Sequence, residues 1–134
     1  MKERKIGRTL FKIFLTLNFL IELVIGLGML FNFPVLAEPG FGIPYSSDMD
    51  VLAIGLGSNL LFAAAAILLS LVWTIRNKTE GASLGMLTGG LFVFFSLMAY
   101  AQMGSTQALL VDGVRGLLTI IFGLMAYNEL KSLR

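Results

Sequence analysis

The chain has 134 residues, 57% of them hydrophobic and 13% charged, with a mean hydropathy of +0.86 and a formal net charge of +2. A chain this apolar and this short cannot hide its side chains in a water-soluble core, so its natural solvent is lipid. The absence of Cys and His removes disulfides, thiol nucleophiles, imidazole bases, haem ligation and nearly every zinc or copper site. The basic residues form no patch of the kind nucleic acid requires.

A hydrocarbon layer about 30 Å thick takes roughly 20 helical residues to cross. The first stretch that meets this covers residues 10–33, after a basic segment containing Lys2, Arg4, Lys5 and Arg8. A signal peptide is the rival for this segment, because Val35-Leu36-Ala37 resembles a cleavage site. Its apolar run is longer than the 7 to 15 residues or so of a signal core, which favours a true span. The connection that follows holds all three prolines (Pro34, Pro39 and Pro44), with Gly40, Gly42, Glu38, Asp48 and Asp50, and should form an irregular acidic cap or a lid.

The second stretch covers residues 51–75, the third 84–102 and the fourth 108–130. Tight connections near Asn77 and Ser105 should make neighbouring helices antiparallel, giving an all-α integral membrane four-helix bundle within a single domain of residues 1–134. Nine of the ten basic residues fall on one side: Lys2, Arg4, Lys5, Arg8 and Lys12 before or at the very start of the first span, Arg76 and Lys78 between the second and third, and Lys131 and Arg134 after the fourth. By the positive-inside rule both termini face the cytoplasm. Trp73 and Tyr127 then sit at the inner interface and Tyr100 at the outer one.

Polar residues inside the spans are the candidate site. Glu22 lies near the middle of the first span, with Asn18 one turn before it and Gly26 one turn after. The second span carries Gly55, Asn59, Ala63, Ala66 and Ser70 on one face, and the fourth carries Asp112, Gly116, Thr119, Gly123 and Ala126, with Arg115 beside them. These faces are expected to turn toward each other. A contact between Glu22 and Arg115 at about 4 Å would be worth roughly 4 kcal/mol at an effective dielectric near 20. That is comparable to the roughly 2.5–3.5 kcal/mol needed to insert one central charge.

Asp112, three residues before Arg115, competes for the same cation. Such a network either fixes helix register permanently or receives a proton or a ligand. Gly81, Gly85 and Gly89 form G-x-x-x-G-x-x-x-G at the start of the third span, a pattern suited to close packing within the bundle or to a homodimer face.

With its four short spans, Gly26-x-Gly28 followed by Phe33-Pro34, and Asp112-Gly113-x-Arg115-Gly116 opening the last helix, the chain resembles the DoxX-like group of small membrane proteins. The resemblance implies a four-helix bundle in a prokaryotic cytoplasmic membrane, with a quinone-associated or redox-accessory role in some members. In size, span count and an intramembrane Glu in the first helix, matching Glu22, it is also similar to the small multidrug resistance family. It departs from that family in its long outer connection and in Asp112 and Arg115.

No G-x-S-x-G, P-loop or H-E-x-x-H motif occurs, so neither an enzyme nor a bound cofactor is expected. The leading expectation is a non-enzymatic membrane protein that binds a small amphipathic or lipid-like molecule in a cavity lined by Asn18, Glu22, Asn59, Asp112 and Arg115. The alternatives are a proton-coupled exporter using Glu22 and an accessory subunit of a larger membrane complex.

Overall fold

The computed structural model describes residues 5–34 and 44–133. Apart from short turns and connections these residues are helical, and none is in a strand. Helix α1 covers Ile6–Phe31, α2 Asp50–Ile75, α3 Thr79–Met103 and α4 Thr106–Lys131. Each is long and apolar enough to cross a membrane. Within α4, Leu109–Gly113 is a π-helical segment that leads directly into regular helix at Val114.

The helix ends follow from local chemistry. Asn77 has φ +57°, the left-handed conformation that closes a helix C-terminus, and the Lys78 amide returns to the Trp73 carbonyl at 2.9 Å. Gly104, at φ +65°, ends α3 in the same way, with its amide on the Tyr100 carbonyl at 2.8 Å. Ser105 then starts α4 by accepting the Ala108 amide on its hydroxyl at 3.2 Å.

Two observed helices begin four or five residues earlier than hydropathy places the spans. Helix α3 starts at Thr79 rather than Leu84, because its first turns are polar but hydrogen-bonded as helix. Helix α1 starts at Ile6, where a remote carboxylate satisfies its first amides.

The chain divides into two compact units, Met1–Thr16 with Ala66–Arg134, and Leu17–Ala65. In the larger unit, the start of α1, the end of α2, α3 and α4 pack with antiparallel neighbours. A Cβ built on Gly116 would lie 2.5 Å from the Gly89 carbonyl oxygen, and one on Gly89 would lie 2.8 Å from that of Gly116, so these two backbones meet directly. Phe11 is wholly enclosed against Gly85 and Gly123, and Phe14 meets Phe122 edge to face at 5.2 Å. In the smaller unit Gly57 plays the equivalent part: a Cβ there would come within 2.9 Å of the Gly26 carbonyl oxygen. Phe33 and Ala53 pack with Met29 and Met49 where α1 ends and α2 begins.

Of the expected acidic cap, Glu38, Pro39, Gly40 and Gly42 lie outside the described residues, as does Val35-Leu36-Ala37. The described part before α2 is an irregular stretch, residues 44–46, and a 3-10 turn, Ser47–Met49, that runs into the helix. There the Tyr45 hydroxyl donates to the Asp50 carboxylate at 3.1 and 3.2 Å.

Candidate functional site

Along α1 the enclosed residues recur as Phe11, Leu15, Asn18 and Glu22, the spacing of one helix face. Asn18 is 1% exposed and Glu22 2%, so a carboxylate and a carboxamide one turn apart are held away from solvent in the smaller unit. Gly26 continues the same face and is also buried.

In the larger unit the structure pairs Asp112 with Arg115. The guanidinium donates to Asp112 Oδ1 at 2.9 Å and lies 4.3 Å from the centre of the Phe92 ring on α3, a cation–π geometry. The Arg115 side chain is only 13% exposed, whereas that of Asp112 is 44% exposed, so the pair is anchored on one side and open on the other.

Asp112 lies within the π-helical segment. One extra residue in a turn rotates what precedes it by about 100° relative to the rest of the helix, since an α-helix advances 3.6 residues per turn. Gly113, in the same segment, is buried against Ser96 of α3, where a Cβ would lie 2.9 Å from the Ser96 hydroxyl. Arg115 is nine positions beyond Thr106, about 14 Å along the axis at 1.5 Å per residue. Beyond it Gly116, Thr119, Gly123 and Ala126 form the buried stripe of α4.

Asn59 corrects the expected orientation of the second helix, because it is exposed and does not face the interior. Within the smaller unit the buried residues of α2 are Ala53, Gly57 and Ala64, set by the close approach of Gly57 to Gly26, and Asn59 projects from the other side. Of the polar stripe expected on this helix, only Ser70 is fully enclosed. Its hydroxyl donates to the Gly81 carbonyl at 2.6 Å.

Gly81, Gly85 and Gly89 are all buried within the larger unit and meet three different helices: Gly81 faces Ser70 and Thr74 of α2, Gly85 faces Phe11 of α1, and Gly89 faces Gly116 of α4. One stripe thus serves three interfaces. A Cβ at Gly81 would sit 2.5 Å from the Thr74 amide nitrogen.

Sequence reasoning missed a polar cluster in the larger unit, where α1 begins and α4 ends. Glu129 of α4 accepts the Gly7 amide at 2.8 Å and the Arg8 amide at 2.9 Å, one on each carboxylate oxygen. It therefore caps the N-terminus of α1 from the far end of the chain. Arg8, buried at 8% exposure, donates to Asn77 Oδ1 at 2.5 Å, tying α1 to the turn between α2 and α3. The only sequence signals were an acidic residue in the last turns of the fourth span and an Asn in a tight connection.

Among the described residues no group of three or more Asp or Glu side chains gathers where a metal ion could sit. Comparison with protein-family models, with curated proteins and with solved structures finds no match for this chain.

Proposed function

We propose that this is a non-enzymatic, multi-pass membrane protein with both termini in the cytoplasm, and that it binds a small amphipathic or lipid-like molecule at the Asp112–Arg115 pair. The observation that carries this is an ion pair set in a π-helical turn of a membrane-length helix, with Arg115 enclosed against Phe92 and Asp112 open. Ionisable groups at such depth are costly and tend to mark ligand sites or pathways, and π-turns recur at functional positions. The polar head of the ligand would meet Asp112 and the guanidinium, and its apolar part would lie along the exposed Leu110, Val111 and Val114 surface.

The orientation is supported by the distribution of Lys and Arg. Membership of the DoxX-like group, and with it a prokaryotic cytoplasmic membrane, belongs to the same proposal and is supported by the Gly26-x-Gly28 and Asp112-Gly113-x-Arg115-Gly116 patterns.

The test is native mass spectrometry of the protein released from detergent, which should show a bound lipid-mass adduct that an Asp112→Asn, Arg115→Met double variant loses. Both residues are changed together because removing one strands the other's charge. A double variant that keeps the full adduct population would refute the site.

A second reading, proton-coupled export, is favoured by the enclosure of Glu22 and Asn18 on one face of α1. It predicts flux of a cationic dye driven by a pH gradient in proteoliposomes, abolished by Glu22→Gln. Wild-type vesicles that carry no such flux would exclude it.

A further inference from the structure

Asn59 is an exposed carboxamide near the middle of a 26-residue apolar helix, nine positions or about 14 Å beyond Asp50. Its side chain makes no hydrogen bond to any other described residue. In hydrocarbon such a group lacks the partners that water would supply, at a cost of several kcal/mol on general transfer grounds.

Its neighbours on the exposed side are Leu52, Gly55 and Phe62, so these positions recur at spacings of 3, 4 and 3. That is the 3.5-residue period of a two-helix seam, on which a single Asn sets register and partner number. Leu52 is 66% and Phe62 78% exposed, and nothing lies within 4 Å of where a Cβ on Gly55 would be.

We propose that this face of α2 is a parallel self-association surface, on which Asn59 of one copy pairs with Asn59 of a second. A second copy is the occupant the chemistry selects. A carboxamide carries both donors and an acceptor, so two of them related by a twofold axis satisfy each other, whereas acyl chains satisfy neither. Copies inserted in the same orientation present α2 in parallel with Asn59 at the same depth. Gly55, one turn toward the outer end, leaves room for the two backbones to approach. The Gly81-Gly85-Gly89 stripe is consumed by packing inside the chain, so it does not compete for this role.

The proposal rests on membrane insertion but not on the Asp112–Arg115 site, so the two can fail separately. The experiment begins by showing that the protein resists alkaline carbonate extraction. Release would overturn the membrane reading and this proposal with it, leaving α2 as a water-exposed helix.

Association is then measured by energy transfer between labelled copies in liposomes over a range of protein-to-lipid ratios. Asn59→Leu should weaken dimerisation about tenfold, the factor expected for losing one interhelical hydrogen-bonded pair in lipid. Asn59→Gln should retain most of it. Because the chain has no cysteine, Gly55→Cys reports proximity directly and should cross-link to a dimer under mild oxidation. Leu91→Cys, on an exposed face of α3, should stay monomeric. Equal association of wild type and Asn59→Leu, or a Gly55→Cys variant that cross-links no better than Leu91→Cys, would overturn the proposal. Both variants should keep the wild-type helical circular dichroism, which separates loss of association from loss of fold.

Discussion

Glu129 shows how one side chain can tie together ends that are remote in sequence. It accepts the first-turn amides of Gly7 and Arg8, groups that would otherwise lack partners at the start of α1. Glu129→Ala should lower stability by about 1–2 kcal/mol, the range for losing a helix cap. Thermal unfolding followed by circular dichroism in detergent measures this, with Lys131→Ala, an exposed change, as the control. Tyr45 offers a pH-dependent counterpart outside the spans. Partial desolvation, and then the hydrogen bond to Asp50, hold its phenol above the usual tyrosine range. A raised value in the folded state means its contribution is present below the ordinary tyrosine range, near pH 10, and is lost as pH rises through the shifted value. Ultraviolet titration should therefore show Asp50→Asn lowering the Tyr45 transition.

At the level of elements, α3 and α4 pair through bare backbone. A side chain on Gly116 would strike the Gly89 carbonyl oxygen and Val93, whereas one on Gly90 would meet nothing within 4 Å. Gly116→Val should therefore destabilise the fold by about 1–3 kcal/mol, the usual range for overpacking. Gly90→Ala should be neutral or stabilising by up to about 1 kcal/mol, because it narrows the unfolded ensemble and lacks a clash. Denaturation in mixed micelles compares the two. The contrast could not be read from the pair Gly89-Gly90 itself, since adjacent positions on one helix differ only in which way they point.

For the whole molecule, the charge distribution leads to a topology that can be checked with single cysteines in a chain that has none. A cysteine in place of Gly104 should react with an impermeant maleimide added outside intact cells, and one in place of Lys78 should react only after lysis. The opposite pattern would invert the orientation drawn from Lys and Arg. Either result leaves the four long apolar helices of the described residues untouched, because their length and apolarity do not depend on which way they insert.

The four long helices, their approximate ends and the buried faces of α1 and α4 were legible in the order of the residues alone. A long apolar run in lipid must satisfy its own backbone, and small or polar residues at helical spacing mark the side turned from lipid. The tertiary structure decided which way Asn59 points, how the three glycines of α3 divide among three neighbours, and that Glu129 reaches back to Gly7 and Arg8. Periodicity describes a helix about its own axis only. The direction that becomes interior depends on where another helix comes closest, as Gly57 meets Gly26 on the side of α2 away from Asn59.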